Sequence, residues 1–322
     1  MTLTGLSSKQ AVLGAIFVLG SMSAVAAQLS GDAKAAIPRD VQQIISVDYR
    51  AMQNSHAAMD LKDRVLPPEL KRLELALKNS GMNISQDVDS LAFAAFRSSA
   101  SGNADQTKTV GVAQGQFQTR AIMANFTKQK VKPVMVRNNS MYPMGTSGLD
   151  VAFLNQTTMV FGDKDAVTAA LESRDGLAPN LLQNGPMVDT MNSVDAEPVW
   201  SILDQKGTQM MMKNLLGEAS QIADFDTVKK RLQSSRYTMN FQNGVKFNME
   251  VLTGDTVTAA TVATLMNAAA IFKKTTADPT EKAAIDATNI DSNSGTIRVR
   301  YSSSDSQFAS LLRSNLFTSV VK

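Results

Sequence analysis

Residues 236–252, RYTMNFQNGVKFNMEVL, decide the fold class of this chain. Apolar side chains occupy every second position in two runs, which are Tyr237, Met239 and Phe241, and then Val245, Phe247, Met249 and Val251. Asn243-Gly244 lies between the runs, and a type I′ turn needs positive φ at both central residues, which Asn and Gly tolerate. The segment therefore predicts an antiparallel hairpin with one buried face.

Similar patterns predict further strands. Alternation or short runs of β-branched and aromatic residues occur at Val41–Asp48, 91–97, 109–117, Val134–Val136, 149–154, 157–161, 198–204 and 296–301. Asn155-Gln156 separates two of these runs and predicts a second hairpin. Gly111 and Gly115 fall inside a predicted strand, where glycine marks a bulge or close packing.

Helical periodicity predicts the other elements. A leucine stripe follows Pro67-Pro68, a favourable helix start, and Gly81 ends this helix as a left-handed cap. Further helices are expected at Thr119–Lys128, 163–171, 207–222, 255–274 and 305–321. In the helix at 255–274, the expected buried stripe is Leu265, Ala268, Ala269 and Phe272. Residues 31–36 are expected to form a flexible junction.

The element order predicts an α+β fold. Two tandem units of antiparallel sheet, each with helices packed on one face, are predicted at 37–176 and 198–322, and residues 177–197 connect them. Each unit opens with a strand that follows a proline and ends in Asp, IISVD after Pro38 and WSILD after Pro198. This similarity suggests an internal duplication.

Residues 1–27 determine the expected compartment. Lys9 precedes an uncharged apolar run, and Ala24-Val25-Ala26 is a small-residue cleavage site that would cut before Ala27, or one residue later before Gln28. An export signal is the preferred interpretation. An uncleaved membrane anchor and a buried core helix are the alternatives. The anchor is the less favoured of the two main interpretations, because the 17-residue run is shorter than a usual membrane span. The expected location is periplasmic or extracellular, with inner-membrane anchoring if the segment stays attached.

Composition narrows the function classes. The chain contains no cysteine, which excludes disulfides, thiolate metal sites and a cysteine nucleophile. Basic and acidic residues number 32 and 29 and are well mixed, and the one dense basic spot, Lys229-Lys230-Arg231, is interpreted as a solvated helix face. We therefore expect no nucleic-acid partner, and membrane contact only through residues 1–27.

No catalytic motif is present in the sequence. The single histidine, His56, has no G-x-S-x-G segment with it and is interpreted as a surface residue. The chain has no Gly-Lys dipeptide, which excludes a Walker A loop. Residues 291–295 (DSNSG) resemble the start of a calcium loop, but Ser302 occupies its twelfth position, so a turn is predicted.

Methionine and carboxylate groups have structural explanations. The segments 141–144 and 210–212 hold methionines that could ligate copper(I), but core packing is the preferred interpretation. Asp87 with Asp89, and Asp224 with Asp226, are the carboxylate pairs that a glycosidase-type mechanism could use. Trp200 is expected in the core. No catalytic, cofactor-binding or metal-binding residue is assigned.

Three segments, IPRDVQQIISVD, DVDSLAFAAF and EPVWSILD, resemble those of uncharacterised exported bacterial α+β proteins. This resemblance implies a fold and brings no activity with it. The preferred hypothesis is a non-catalytic extracytoplasmic binding protein, or an envelope or assembly interaction protein, whose partner is another envelope protein or a small ligand. The alternative is a carboxylate-dependent hydrolase of envelope or extracellular polymers.

Overall fold

A computed structural model describes residues 28–65, 68–78, 82–98, 106–216, 225–315 and 317. The export segment at 1–27, the predicted cap at Gly81, Asp224 and Leu316 lie outside the described residues.

A single antiparallel sheet of 12 strands runs through the described chain. Its strands are β1 (Val41–Asp48), β2 (Val88–Ser98), β3 (Gln106–Gly115), β4 (Val134–Val136), β5 (Asn139–Pro143), β6 (Asp150–Phe153), β7 (Thr158–Gly162), β8 (Val199–Leu203), β9 (Leu232–Asn240), β10 (Val245–Thr253), β11 (Thr288–Asn293) and β12 (Thr296–Ser303). Their order is β11-β12-β10-β9-β8-β1-β2-β3-β7-β6-β5-β4. The α+β class and antiparallel pairing are confirmed. The predicted units share one sheet, because β1 pairs directly with β8.

The helices of the described chain connect these strands. They are α1 (Gly31–Ala36), α2 (Tyr49–Gln53), α3 (His56–Val65), α4 (Pro68–Lys78), α5 (Ile84–Asp87), α6 (Thr119–Lys128), α7 (Lys164–Arg174), α8 (Gly185–Asn192), α9 (Gln205–Leu216), α10 (Phe225–Lys229), α11 (Thr256–Thr276), α12 (Pro279–Asp286) and α13 (Asp305–Leu311). Short 3₁₀ turns lie at Gly145–Ser147 and Leu181–Gln183.

Strand register assigns every side chain to one of two sheet faces. Face A is defined by a row of directly paired residues that crosses eight strands: Val110, Ala94, Ile44, Ile202, Arg236, Glu250, Arg298 and Asp291. Face B carries the alternate positions, such as Phe93 and Met249. The face A row is apolar as far as Ile202 on β8 and charged from Arg236 on β9 onward.

The first half of the sheet, β1 to β7, is covered by helices on both faces. On face A, one hydrophobic cluster includes side chains of α1, α7 and α8. On face B, a second cluster includes side chains of α4 and α6. The prediction of helices on one face is therefore wrong for this half, because its central strands carry apolar residues at successive positions and need cover on both sides.

The second half, β9 to β12, has its hydrophobic packing on face B. Its clusters there include residues of α9, α10 and α11, and of α3 and α13. No face A side chain of β9 to β12 belongs to a hydrophobic cluster within the described residues. One-sided packing, as predicted from the alternation in 236–252, holds for this half.

The turn of the predicted hairpin has the expected backbone. Asn243 has φ of 59° and Gly244 has φ of 96°. Strand β9 ends at Asn240 and β10 begins at Val245, so the loop is longer than a two-residue turn. The hairpin prediction at 149–161 is likewise confirmed by the pairing of β6 with β7.

Two local predictions are wrong. Residues 31–36 form α1, whose Ala33 and Ala36 are fully buried, so tertiary packing orders a segment that was expected to be flexible. The second wrong prediction is the buried stripe of α11, because the residues buried there are Thr258, Ala259, Val262, Ala263 and Met266 and none of the four that were expected.

The expected α11 stripe is displaced, because Phe272 is 68% exposed and Ala268 is exposed. Within the described residues, α11 is the one helix that is long and apolar enough to cross a membrane by length and composition alone.

Candidate functional site

A cleft of about 400 Å³ opens at the sheet end where the two halves meet. At this end β1 and β9 begin and β2, β8 and β10 finish, because adjacent strands are antiparallel. The lining residues are Arg39, Asp40, Val41, Arg97, Asn184, Pro186, Met187, Thr190, Asp204, Gln205, Gln233, Ser234 and Leu252. The volume is within the range of small-molecule sites.

Helix α8 forms one wall of the cleft. Asn184 is the N-cap of α8 and accepts a hydrogen bond from the backbone N–H of Met187 at 3.3 Å. Its Nδ2 donates to the backbone carbonyl of Arg39 at 2.9 Å, which joins the helix start to the segment before β1. Met187 and Val41 are buried, whereas Leu252 is 44% exposed. The cleft therefore has an apolar part beside polar side chains.

An ion pair crosses the cleft floor. Arg97, at the end of β2, donates through Nη2 to Oδ2 of Asp204, and the two side chains are 22% and 21% exposed. Oδ1 of Asp204 accepts from the backbone N–H of Gly207 at 2.7 Å, in the first turn of α9. Both carboxylate oxygens of Asp204 are therefore engaged by donors. The Arg97 Nε is buried and has no hydrogen-bond partner among the described residues.

Four further side chains in the cleft are available to a ligand. Within the described chain, Arg39, Asp40, Gln233 and Ser234 make no side-chain hydrogen bond or ion pair. Arg39 and Asp40 are exposed and carry opposite charges. Because Arg97 and Asp204 neutralise each other, the free groups offer one cation, one anion and two neutral polar groups.

The carboxyl groups with raised pKa lie away from this cleft. Burial raises the pKa of Asp48 at the far end of β1, although its Oδ1 accepts from the backbone N–H of Ala51. Burial likewise raises the pKa of Asp150 on β6. The carboxylate-dependent hydrolase of the alternative hypothesis would need such a group beside a second carboxyl in the cleft. Within the described part of the chain, neither Asp48 nor Asp150 lines the cleft.

The residues considered from the sequence are scattered. His56 is exposed at the start of α3, and Trp200 is fully buried on face A. Asp89 forms an ion pair with Arg50. Met141 and Met212 are buried in hydrophobic clusters, in accord with their interpretation as core residues, while Met210 is 64% exposed.

The remaining sequence expectations concern turns, glycines and metal ligands. The turn predicted at 291–295 is confined to Ser294 and Gly295, which both have positive φ, because residues 291–293 belong to β11. A Cβ at Gly111 would overlap the ring of Phe161, which confirms close packing there. No group of three or more His, Asp or Glu within the described ranges could hold a metal ion.

Two of the segments quoted from the sequence have one end at the cleft. IPRDVQQIISVD contains Arg39 and Asp40, and EPVWSILD ends in Asp204. Sequence reasoning assigned no role to them, because the site forms only when β1 pairs with β8. The hydrogen bond from Gln43 to Ser201 across this pair joins residues 158 positions apart. No local pattern signals such a meeting.

Comparison with known proteins identifies a structural likeness without a sequence family. No family model matches the chain, and no curated protein matches it. The structure resembles TP0453, a treponemal α+β protein. Crystal form I of TP0453 is 9% identical with a TM-score of 0.49, and 87% of this chain covers 95% of that one. Crystal form III is 7% identical with a TM-score of 0.46, over 87% and 96% of the two chains.

Proposed function

We propose that this protein is a non-catalytic, extracytoplasmic binding protein whose ligand site is the cleft at the β1–β8 junction. The observation that carries the proposal is the combination of four unpaired polar side chains with an apolar wall in one cavity. Arg39, Asp40, Gln233 and Ser234 supply the polar groups, and Met187 and Leu252 are among the apolar residues. Pockets of this composition fix a ligand by a few directed polar contacts.

The free charges indicate the class of ligand. One exposed guanidinium and one exposed carboxylate complement a ligand that carries both an anionic acceptor and a cationic donor. A strongly charged ligand would meet repulsion from one of the two groups. The site therefore fits a small zwitterion of the amino-acid or short-peptide type, with apolar atoms against Leu252.

The hydrolase alternative has less support. Asp204 already accepts hydrogen bonds from Arg97 and from the backbone of Gly207, so its lone pairs are directed at fixed donors. Asp40 is then the one carboxylate of the cleft that is free to act. A retaining or inverting glycosidase needs two carboxyl groups at a set separation.

The extracytoplasmic assignment depends on residues 1–27. Their positive charge, apolar run and small-residue site are typical of a removable signal. Intact-mass measurement of the protein isolated from its native cells tests this part. Loss of the first 26 or 27 residues is expected, and a full-length mass would favour the anchor.

Ligand binding is tested by titration calorimetry with glycyl-leucine, which carries both charges and an apolar side chain. Acetate and isobutylamine serve as singly charged probes. The expected result is saturable binding of the dipeptide, with weaker or no binding of the two other probes.

A charge-removing variant locates the site. Arg39→Ala combined with Asp40→Ala is expected to weaken dipeptide binding at least 10-fold, while the matched surface variant Arg120→Ala on α6 leaves it unchanged. Arg120 is exposed, and it makes no ion pair within the described residues. Equal binding by both variants would place the ligand elsewhere, and absence of binding to the folded wild type would refute the proposed ligand class.

A further inference from the structure

The second half of the sheet repeats the strand order of the first half. From the central pair outward, the strands follow the order β1-β2-β3-β7-β6 on one side and β8-β9-β10-β12-β11 on the other. Because β1 and β8 are antiparallel, an approximate two-fold axis perpendicular to the sheet passes through the pair of Ile45 and Ser201. The axis exchanges the two halves and keeps face A on face A. Each position near one end of the sheet therefore has a counterpart near the opposite end.

Backbone hydrogen bonds at the two ends of the central pair follow this axis. Asp48 and Asp204 each lie three residues beyond the central pair. Each donates its backbone N–H to a carbonyl of the other half, at 2.6 Å to Pro198 and at 2.9 Å to Gln42. Oδ1 of each accepts a 2.7 Å hydrogen bond from the backbone N–H three residues later, in α2 and α9. Asp204 lines the cleft, so its counterpart Asp48 marks the corresponding place in the first half.

A β-bulge, which is an extra residue on one strand of a pair, occurs at the same place in both halves. The extra residue is Asp89 on β2 and Gln233 on β9. The flanking pairs are Val88 with Gly115 and Ser90 with Gln114 in the first half, and Leu232 with Thr253 and Ser234 with Leu252 in the second. Bulges next to functional sites redirect a side chain. Gln233 lines the cleft, and its side-chain amide makes no hydrogen bond within the described residues.

The chain itself occupies the corresponding place in the first half. Gln114, the counterpart of Leu252, holds the segment that precedes α1. Its Nε2 donates to the carbonyl of Gln28 at 2.9 Å, and its Oε1 accepts from the N–H of Ser30 at 2.7 Å. Leu29 lies between these contacts, is 5% exposed and belongs to the face A cluster of the first half. A three-residue segment is thus bound by its backbone and by one apolar side chain.

The contact at Gln114 has the pattern of strand pairing. In a parallel ladder, one residue bonds through its N–H and C=O to two residues of the neighbouring strand that are two positions apart. The side-chain amide of Gln114 replaces the backbone of that residue, since Gln28 and Ser30 are its partners. This pattern requires an extended segment, and Ser30 has φ of −63° and ψ of 165°. A side-chain amide therefore acts here as a short edge strand.

We propose that the cleft binds an extended peptide segment of three or more residues, and that the amide of Gln233 holds its backbone. An amide offers both donors and an acceptor, and leucine at position 252 leaves that task to the bulged residue beside it. The central side chain of the segment is apolar, because Leu252 and Met187 line the cleft. The inference rests on the proposed binding function and narrows its ligand from a zwitterion to a peptide backbone.

Titration calorimetry with two matched tripeptides is the test. Glycyl-leucyl-glycine and glycyl-leucyl-sarcosine carry the same charges and the same apolar side chain, but the sarcosine residue lacks the N–H that the amide oxygen of Gln233 accepts. The first peptide is expected to bind about 5-fold more tightly, which is the ordinary effect of one hydrogen bond. Gln233→Ala is expected to weaken binding of the first peptide about 10-fold and to remove the difference between the two peptides.

The matched control is Gln242→Ala. Gln242 is exposed in the turn between β9 and β10, at the other end of these strands, and its side-chain amide makes no hydrogen bond within the described part of the chain. This variant is expected to keep the difference between the two tripeptides. Equal binding of both tripeptides to the wild type, or a difference that persists in Gln233→Ala, overturns the inference. The comparison of ligands needs only the wild-type protein, so a variant that fails to fold leaves the test intact.

Two more ligands separate this inference from the proposed function. Glycyl-leucine carries both charges without a third residue, and N-acetyl-glycyl-leucyl-glycinamide has the backbone without terminal charges. Binding of glycyl-leucine with no gain from a third residue overturns the inference and leaves the zwitterion site. Binding of the blocked peptide without binding of glycyl-leucine supports the inference and overturns the zwitterion class. Binding of none of the four ligands overturns both.

Discussion

Face A is covered by helices in the first half of the sheet and has no hydrophobic packing in the second half within the described residues. In β2, the residues from Leu91 to Ala94 are all buried, because helices cover both faces there. In β10, buried Met249 and Val251 alternate with exposed Asn248 and Leu252. Antiparallel pairing therefore occurs both in a strand whose two faces are buried and in a strand with one face exposed to solvent. The side-chain pattern of each strand indicates how many of its faces are covered: a continuous apolar run indicates two, and alternation indicates one.

The change from strands buried on both faces to strands exposed on face A occurs between β8 and β9. One cross-strand row runs through Val112, Ala92, Ser46 and Trp200 on the covered side, and continues through Thr238 and Asn248 on the open side. The cleft lies at this boundary, where α8 is the last helix on face A and the uncovered strands begin. A boundary between covered and open sheet thus creates a cavity with both apolar and polar walls.

The sharpest test compares one substitution on the two sides of that row. Val112→Lys buries an unpaired charge at a site that is 1% exposed, and we expect the free energy of unfolding to fall by about 4 kcal/mol or more. Asn248→Lys is expected to change it by less than about 0.5 kcal/mol. Urea unfolding followed by the fluorescence of Trp200, the one tryptophan, measures both. Equal losses would show that face A is not open in the second half.

A glycine comparison has a smaller expected effect. Gly111→Ala directs a methyl group into the Phe161 ring, so a loss of about 1–3 kcal/mol is expected from overpacking. In a Phe161→Ala background the same change is expected to cost little, because the space is then free. Gly254→Ala, at the end of β10, meets no atom closer than 3.7 Å and serves as control. A penalty at Gly111 that persists without the Phe161 ring would contradict the packing explanation.

Two carboxyl groups give pH effects of opposite sign. Burial of Glu250 on the open face favours a higher pKa, but hydrogen bonds and charge from Arg236 and Arg298 outweigh it and hold its pKa below the ordinary 4.5. Its stabilisation is present above pH 4.5 and is lost as the pH falls through the lowered value. Burial raises the pKa of Asp150 in the covered half above 3.8, with Lys164 opposing and Asp163 adding to the shift. Its contribution is complete below pH 3.8 and is lost as the pH rises through the raised value.

The corresponding variants are Glu250→Gln and Asp150→Asn. Glu250→Gln is expected to lower the free energy of unfolding by only about 1 kcal/mol at pH 7, because the ion pairs are partly exposed. A smaller loss is expected at pH 3.5, where part of the stabilisation from the ionised carboxylate is already lost. The free energy of unfolding of Asp150→Asn, relative to that of the wild type, is expected to be higher at pH 7 than at pH 3.5. Urea midpoints at the two pH values measure the changes, and a shift in the same direction for both variants would contradict the assignment of the two environments.

Strong local patterns made much of the second half predictable. The alternation in 236–252 predicts β9, β10 and their one buried face, and Asn243-Gly244 predicts the positive φ angles. Residues 278–286 were missed, although Asp278, Pro279 and Glu281 carry a capping-box signature that marks the start of α12. Strand β11 was missed because TNIDSN is short and polar, and its place at the sheet edge needs no apolar face.

Features that depend on distant contacts could not be predicted. Helix α1 is six residues of mainly small side chains, and its order comes from burial in the cluster that also holds α7 residues. The α11 stripe was misplaced because every face of this helix is apolar or uncharged, so periodicity does not distinguish the face on the sheet from the one in solvent. The cleft was unpredictable for the same kind of reason, since Arg97 and Asp204 meet through strands from opposite halves.

The pairing of β1 with β8 has a consequence for the time course of folding. A chain that emerges from its amino end acquires β2 soon after β1, but the second neighbour of β1 arrives only with Val199–Leu203. Until then the backbone donors and acceptors of one edge of β1 are unpaired beside Ile44 and Val47, an arrangement that invites pairing with another nascent chain. Closure over so long a sequence distance is slow. The strand that completes the cleft is thus also the one that ends the interval of greatest aggregation hazard.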